Sequence, residues 1–204
     1  MRVVAGKFRG RAIQGPKSDA IRPTADRLRE ALFNILVHAY GNPILDARVL
    51  DLFAGTGALG IEAISRGARF ACFVEDSAEG RALLRENVEA FALGGVTKIF
   101  RRDATQLGQA HPNEPFDLVF CDAPYRKGLA EKALASARDG GWLVPGAIVV
   151  VEEAVDAKFA APTGLEELER RAYDDTEFVI MRFSDSSSRT GERTGASTIR
   201  DRSQ

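Results

Sequence analysis

Short, continuous apolar runs alternate with amphipathic segments through most of this chain. Five segments predict strands, at residues 49–53, 70–75, 97–101, 116–121 and 147–151, and the runs that begin at Val49 and Ala147 have the apolar composition of strands buried on both faces. The segments between them show helical spacing and end at or beside glycine, at residues 58–66, 78–91 and 129–138. Strands that alternate with helices are joined by right-handed crossovers. The pattern therefore predicts a mostly parallel, doubly wound α/β sheet covered on both faces.

The amino-terminal pattern differs from this alternation. Residues 2–13 predict a short hairpin with a basic tip, and Thr24 is placed to cap a helix over residues 25–39. Residues at helical spacing form the buried stripe of that helix, at Leu28, Ala31, Leu32, Ile35 and Leu36. We therefore expect residues 1–40 to form an extension of the main domain.

At the carboxyl end, residues 167–173 and 177–183 predict an antiparallel pair with a turn between them. Residues 184–204 are almost free of apolar side chains, which predicts a disordered tail. The remaining length, residues 41–183, suits one principal domain. No apolar run approaches the roughly 20 residues that span a bilayer, and no apolar block of a secretion signal follows Met1. We therefore expect a cytoplasmic protein without a membrane partner, and a monomer, because no exposed apolar repeat indicates a dimer.

The two cysteines and two histidines do not indicate a disulfide or a metal site. Cys72 and Cys121 both fall in predicted buried strands. If those strands flank the strand at 49–53, the two cysteines lie about 9.6 Å apart, which is beyond disulfide reach. Reduced, buried thiols are expected. His38 and His111 lack the spacing of metal ligands, so no metal is predicted.

Charge is unevenly distributed along the chain. The formal net charge of −1 gives no overall attraction to nucleic acid, so such a partner requires a local basic surface. Before Glu30 only two acids, Asp19 and Asp26, face eight cations, at Arg2, Lys7, Arg9, Arg11, Lys17, Arg22, Arg27 and Arg29. Scattered charges commonly form a merely solvated surface. Here guanidinium groups that pair well with phosphate, beside a Phe8 ring able to stack on a base, favour RNA contact.

A glycine turn after the first predicted strand indicates a ligand site. Gly55 and Gly57 permit positive φ and remove the Cβ atoms that would hold a ligand away from the backbone, and the next helix presents unpaired N–H groups. The same spacing also fits a dinucleotide-binding fold. Asp51, just before the turn, distinguishes the two interpretations. Its carboxylate would repel a pyrophosphate but attract an ammonium group.

Each of the first four predicted strands ends at or near an acid, namely Asp51, Glu75, Asp103 and Asp122. In doubly wound sheets, ligands bind beyond the carboxyl ends of the strands. Glu75 follows the glycine turn by roughly 20 residues, the separation at which an acid accepts hydrogen bonds from ribose hydroxyls. Asp103 is placed to meet an adenine amine. Together these acids describe a site for a nucleoside that carries a cation, and S-adenosylmethionine has that form.

The fourth strand leads into Asp122-Ala123-Pro124-Tyr125. An exocyclic amine on a base ring is a poor nucleophile because its lone pair is delocalised. The Asp122 carboxylate and the Ala123 carbonyl are placed to hold its hydrogens and turn the lone pair toward a methyl group. Pro124 stiffens the turn, and Tyr125 offers a face for a flipped or unpaired base.

These residues carry a family resemblance. The glycine turn with an Asp-x-Pro-Tyr turn resembles the amino-methyltransferases of Rossmann-like fold, whose pattern is Asn/Asp-Pro-Pro-Tyr. More specific pieces are Arg9-Gly-Arg11, the Arg22-Pro-Thr24 segment continuing to Asn34, and the segment from Asp51 to Ala63. Together they resemble the RsmD family, from Arg2 to about Phe183. Ala123 departs from the pattern by replacing its first proline, which keeps the backbone carbonyl but loosens the turn.

The resemblance implies a class I, S-adenosylmethionine-dependent methyltransferase that modifies a guanine N2 of 16S ribosomal RNA, in the small subunit or an assembly intermediate. It implies cofactor contacts at Asp51, Phe53, Gly55, Thr56, Gly57, Glu75, Asp103 and Ala104. It implies base contacts at Asp122, Ala123, Pro124 and Tyr125, and RNA contacts at Arg9, Arg11, Arg22, Thr24 and Arg27.

Two alternative functions remain open at this point. An adenine-N6 methyltransferase acting on DNA uses the same turn after the fourth strand. An RNA-binding ribosome assembly factor without essential catalysis would account for the basic amino-terminal region. A nicotinamide enzyme is disfavoured, since it leaves Asp51 and the Asp122 turn unexplained.

Overall fold

A seven-stranded sheet forms the centre of the structure, a computed structural model that describes residues 1–16 and 23–184, with side chains from residue 26 in the second range. The strands are β1 (Arg48–Leu52), β2 (Phe70–Val74), β3 (Thr97–Phe100), β4 (Phe116–Asp122), β5 (Leu143–Ala154), β6 (Leu165–Tyr173) and β7 (Thr176–Phe183). The α-helices are α1 (Pro23–Ala39), α2 (Ala58–Ser65), α3 (Ala78–Ala90) and α4 (Leu129–Asp139). Short 3-10 turns follow β3 at Ala104–Gln106 and β5 at Val155–Ala157.

The strand order is β3-β2-β1-β4-β5-β7-β6. The first five strands pair in parallel, whereas β7 runs antiparallel to both β5 and β6. The predicted doubly wound sheet with a terminal antiparallel pair is therefore confirmed. Because the chain reverses its winding between β1 and β4, a ligand crevice is expected beyond the carboxyl ends of these two strands.

The sheet is covered on both faces. Apolar residues of α1, α2 and α3 pack on one face in a cluster that includes Phe33, Ile61 and Phe73. On the other face, α4 packs over a second cluster that includes Trp142. Cys72 and Cys121 lie in this second cluster as free thiols, as predicted, and burial raises the pKa of each. None of the helices among the described residues is long and apolar enough to cross a membrane.

β5 is longer than the predicted strand at 147–151. It extends from Leu143 to Ala154, because Glu152 and Glu153 continue the pairing with Phe178 and Glu177 of β7. The acidic residues that follow the apolar run are therefore part of the strand, and Glu152 stands beside Asp122 in the register of β4 and β5.

The amino-terminal arm, residues 1–16, differs in detail from the predicted hairpin. A single antiparallel bridge joins Arg2 and Ala12, and the chain turns through Phe8. Phe8 is buried, with its ring 5.3 Å from that of Phe91 in an edge-to-face contact. The prediction that Phe8 stacks on a base is wrong, because this ring is part of the core.

The first helix begins at Pro23 rather than at residue 25. Thr24 therefore lies in the first turn of α1 and is not its N-cap as predicted. Proline suits this position because the first turn has no intrahelical partner for its N–H groups. Arg22 and the tail from residue 185 onward lie outside the described residues, as does the side chain of Thr24.

Glu62 of α2 is fully buried and binds the arm to two helices. Its two carboxylate oxygens accept the backbone N–H groups of Val4 and Ala5 at 2.8 and 3.0 Å. The same carboxylate pairs with Arg66 at 2.7 Å and lies 3.6 Å from Arg29 of α1. Arg29 is itself buried and also binds Asp26, so this arginine, predicted to lie on an RNA-facing surface, holds the fold together.

Asn87 of α3 is a second buried polar group that joins distant segments. Its side chain forms hydrogen bonds with both backbone groups of Gln14 at the end of the arm. It also donates to the backbone carbonyl of Thr56 in the glycine turn, at 2.9 Å. The arm is therefore fixed against α2 through Glu62 and against α3 through Asn87.

We predict that Glu62→Gln destabilises the protein by about 3–5 kcal/mol, because it leaves buried cations without a compensating charge. Every partner of this carboxylate is a donor, so the new amide NH2 faces a donor in either orientation. Urea unfolding measures the change. Asp46→Asn, which removes one partner of an exposed ion pair with Arg69, is the control and is expected to cost less than about 0.5 kcal/mol. Equal losses in the two variants would contradict this role for Glu62.

Candidate active site

A cavity of about 380 Å³ lies beyond the carboxyl ends of β1, β4 and β5. Its lining includes Asp51, Phe53, Gly55 and Thr56 from the end of β1 and the glycine turn, Leu28, Arg29 and Leu32 from α1, and Asp122, Tyr125 and Glu152 from the ends of β4 and β5. This is the edge at which the strand order predicts a ligand. The structure thus brings the first and last of the four predicted strand-end acids, Asp51 and Asp122, to one cavity.

The glycine turn is shaped by positive φ angles. Phe53 has φ of +62°, a conformation that costs a non-glycine residue about 1–2 kcal/mol. Gly55, with φ of +52°, lines the cavity and donates its N–H to Glu75 at 2.9 Å. Gly57 does not line the cavity. A Cβ at Gly57 would lie 2.4 Å from Leu84, so its missing side chain makes room for the core and not, as the sequence suggested, for a ligand.

Asp51 is almost fully buried and has no cationic partner among the described residues. Its carboxylate accepts the Gly60 N–H at 3.0 Å. Burial raises the pKa of Asp51 to about 8. The hydrogen bond from Gly60 lowers this pKa in part, whereas the nearby Glu75 carboxylate raises it further. A cationic group placed in the cavity would favour the ionised form. The Asp51 carboxylate is therefore a suitable hydrogen-bond acceptor and counter-ion for the ammonium group of an amino-acid moiety.

The other predicted cofactor residues lie outside the cavity lining. Glu75 spans the glycine turn and the start of α3, since it accepts from both Gly55 and Ser77. Asp103 is exposed and caps the 3-10 turn by accepting from Thr105 at 2.8 Å, and Ala104 behind it is buried. A carboxylate has further lone pairs, so Glu75 and Asp103 keep acceptor sites for a ligand that extends past the cavity.

The turn after β4 carries Asp122 and Tyr125 into the cavity, whereas Ala123 is buried and Pro124 is exposed beside it. Asp122 is open to the cavity, yet the surrounding protein displaces bulk water. This desolvation and the nearby carboxylates, Glu152 first among them, raise the pKa of Asp122 well above its usual range. The raised pKa makes the ionised Asp122 carboxylate a stronger base than an exposed aspartate.

Glu152 is one of the lining residues that were not predicted from the sequence. Its Oε1 accepts a hydrogen bond from the Tyr125 hydroxyl at 2.7 Å. Desolvation raises the pKa of Glu152. Desolvation and the nearby Glu152 charge also raise the pKa of Tyr125. The signal was present in the sequence: the fifth apolar run, like the first four, ends at an acid.

The described basic residues predicted to bind RNA are exposed but lie in two places. Lys7 donates its backbone N–H to Ser65 at the far end of α2, and that eight-residue helix separates the arm's tip from the cavity by about 12 Å. Arg9 and Arg11 belong to this tip, with the Arg11 guanidinium 4.4 Å from the Phe91 ring centroid. Arg27 is exposed on α1, next to the cavity-lining Leu28.

We predict that Asp51 makes stability fall with rising pH. Between about pH 4 and pH 8 the folded protein keeps the Asp51 proton, whereas the unfolded chain releases it. The free energy of unfolding therefore falls by up to about 1.4 kcal/mol per pH unit in this window. The asparagine side chain of Asp51→Asn does not titrate, so this contribution to the pH dependence is absent from the variant. Urea unfolding at pH 5, 6 and 7 should show wild type losing stability relative to the variant, and parallel pH profiles would overturn the assignment.

Comparison with known proteins adds a family to this geometry. The family model for Conserved hypothetical protein 95 matches residues 1–182. Ribosomal RNA small subunit methyltransferase D of Escherichia coli strain K12 is 39% identical over 157 residues, which cover 76% of each chain. The protein of the same name from Haemophilus influenzae is 34% identical over 164 residues, covering 79% of this chain and 83% of the relative.

A solved structure supports the same assignment. The putative methyltransferase yhhF from Escherichia coli superposes with a TM-score of 0.76 at 32% identity, and the match covers 90% of this chain and 98% of that one. The shared architecture confirms the Rossmann-like methyltransferase fold. The chain belongs to the family described as Conserved hypothetical protein 95, the RsmD family of methyltransferases.

Proposed function

We propose that this protein transfers the methyl group of S-adenosylmethionine to the exocyclic N2 of a guanine in 16S ribosomal RNA, in the cytoplasm. The observation that carries the proposal is one cavity lined by both Asp51, a buried carboxylate with no cationic partner among the described residues, and the Asp122 turn. The relatives' name, ribosomal RNA small subunit methyltransferase D, supports the small-subunit RNA as substrate.

The residues present fit the proposed cofactor. Asp51 offers its carboxylate to the ammonium group, and Gly55 and Thr56 form the wall beside it. Glu75 and Asp103, next along the sheet edge in the order β1, β2, β3, are assigned to the ribose hydroxyls and the adenine amine. Asp51 would hold the amino-acid part of the cofactor, and Glu75 and Asp103 would hold its nucleoside.

When bound, S-adenosylmethionine supplies an electrophilic methyl group on a sulfonium that departs as a neutral thioether, so no acid is needed at the leaving group. The protein's task is to present the amine. Asp122 and the Ala123 carbonyl accept the two N2 hydrogens and direct the nitrogen lone pair at the methyl carbon. Asp122 then accepts the proton that the methylated amine releases, a role that its raised pKa suits.

Tyr125 and Pro124 serve the base. The Tyr125 ring lines the cavity and is held by its hydrogen bond to Glu152, so it presents a fixed surface for stacking. Stacking of a base on an aromatic side chain contributes about 1–3 kcal/mol. A guanine unpaired from its helix can reach this surface, whereas a base within a duplex cannot.

RNA contact is assigned to the extension at residues 1–40. Arg27 is placed to bind phosphates near the cavity, and Arg9 and Arg11 bind a more distant part of the same RNA. The proposal also assigns RNA contact to Arg22 and Thr24 on the basis of the sequence. Phosphate contacts orient an RNA without reading its sequence, so RNA shape, in the subunit or an assembly intermediate, selects the guanine.

The proposal is tested by transfer of labelled methyl from S-adenosylmethionine to undermodified small subunits and to naked 16S RNA, followed by digestion to nucleosides. N2-methylguanosine is the expected product. Methyladenine would instead assign the protein to the adenine-N6 class. Tight RNA binding without any product would favour an assembly factor and contradict the proposed catalysis.

In the same assay Asp122→Ala is expected to lower kcat at least about 100-fold, since it removes an acceptor that orients the amine. Its dissociation constant for S-adenosylmethionine should stay within about threefold of wild type. Asp139→Ala, an exposed residue at the end of α4, is the matched control and should retain full activity. Equal loss of binding and turnover in Asp122→Ala would remove Asp122 from the catalytic role.

The RNA surface has a separate test. Arg27→Ala is expected to weaken binding of the RNA and to reduce the slope of log affinity against log salt by about 0.7–0.9, the loss of one phosphate contact. Arg69→Ala is the control, because Arg69 is exposed at the opposite edge of the sheet, before β2. Filter binding between 50 and 200 mM salt gives both slopes. The same loss of affinity and of salt slope in both variants would indicate a general charge effect and would contradict a phosphate contact specific to Arg27.

A further inference from the structure

Glu152 lies beside the proposed base-binding turn. It is the register partner of Asp122 on the neighbouring parallel strand, and both side chains line the cavity. Neighbouring strands are about 4.8 Å apart, and register partners point to the same side of a sheet. The two carboxylates therefore face the same ligand.

One oxygen of Glu152 is available to that ligand. Oε1 accepts from the Tyr125 hydroxyl, whereas Oε2 has no hydrogen-bond partner among residues 1–16 and 26–184. The adjacent Glu153 provides a contrast. Its buried carboxylate is used by the protein itself, accepting the backbone N–H groups of Arg126 and Ala154 at 3.0 and 2.8 Å.

The edges of the purine bases differ at the atom next to the amine. Guanine carries N1–H, a donor, adjacent to its N2 amine, whereas adenine carries an N1 lone pair adjacent to its N6 amine. An ionised carboxylate only accepts hydrogen bonds. Two acceptors side by side therefore match the guanine edge and oppose a bare N1.

We propose that Glu152 selects guanine by accepting its N1–H at Oε2 while Asp122 and the Ala123 carbonyl hold the N2 amine. This assignment rests on the proposed guanine-N2 activity and adds to it a residue that discriminates between bases. The N–H donors of guanine, lying between Asp122 and Glu152, also offset the repulsion between these two carboxylates. With adenine, the Glu152 oxygen faces the N1 lone pair and stays unpaired, which is a strong basis for rejection.

The hydrogen bond to Tyr125 gives Glu152 a fixed orientation. Oε1 is held at 2.7 Å from the hydroxyl of the ring on which the base stacks. The stacking surface and the free acceptor are thus held in one arrangement, and a base that stacks on Tyr125 presents its edge to Glu152.

The test uses an RNA substrate with 2-aminopurine in place of the target guanine. This analogue keeps the 2-amine but has a bare N1 and no 6-oxygen, so the N1–H contact is isolated by comparing the preference of wild type with that of a Glu152 variant. Wild type is expected to prefer guanine by at least about 100-fold in kcat/KM. In Glu152→Gln, whose amide NH2 can donate to a bare N1, the preference should narrow at least about tenfold. Glu166→Gln, the same change at an exposed position on β6, should keep the wild-type preference.

A second variant distinguishes base selection from support of the tyrosine ring. Tyr125→Phe removes the hydroxyl bound to Glu152 but keeps the ring and the Glu152 carboxylate, so it should lower activity on both bases and narrow the preference less than Glu152→Gln does. If Glu152→Gln lowers both activities equally, Glu152 only positions the ring and the proposal is wrong. If wild type forms no N2-methylguanosine, the proposed function fails and this assignment fails with it. N2-methylguanosine formation with an unchanged preference in Glu152→Gln would overturn the assignment alone.

Discussion

The buried carboxylate of Glu62 is the interaction on which the amino-terminal half of the structure depends. It lies where the arm, α1 and α2 meet, and each of its contacts is with a donor or a cation. Because α1 supplies one wall of the cavity through Leu28, Arg29 and Leu32, the position of that wall depends on Glu62 as well. A single charged group that does not line the cavity thus helps to hold one of its walls in place.

The opposite situation holds inside the cavity, where Asp51, Asp122 and Glu152 form no ion pair with any of the described residues. Desolvation and mutual repulsion raise the pKa of Asp51, Asp122 and Glu152. Such an arrangement lowers the stability of the empty protein and is relieved by ligands that bring positive charge or N–H donors. Functional sites commonly sacrifice stability in this way. Under the proposed function, both the cofactor's ammonium group and the guanine edge provide that relief.

Most of the fold was predictable because the strands are buried on both faces and therefore appear as uninterrupted apolar runs. Asp51 and Asp122 were predictable for a related reason, since an acid that ends such a run reaches the ligand edge of the sheet. The β5 extension through Glu152 was not recognised, because its charged residues pair with β7, a partner about 25 residues later that the local pattern does not reveal. Phe8 and Arg29 were misassigned for a similar reason. The many cations around them suggested RNA contact. Phe8 instead packs on Phe91 and Arg29 lies beside Glu62, and both partners are distant in the sequence.

The arm's contacts also determine when it can fold during synthesis. Val4 and Ala5 bind Glu62, 58 and 57 residues later, and Gln14 binds Asn87, 73 residues later. The arm therefore leaves the ribosome well before the residues that bind it. Until α3 has emerged, Val3, Phe8 and Ile13, all buried in the finished fold, have no core to enter. At a synthesis rate of about 5–20 residues per second, this leaves the apolar arm exposed for several seconds, an interval in which a chaperone can reach the nascent chain.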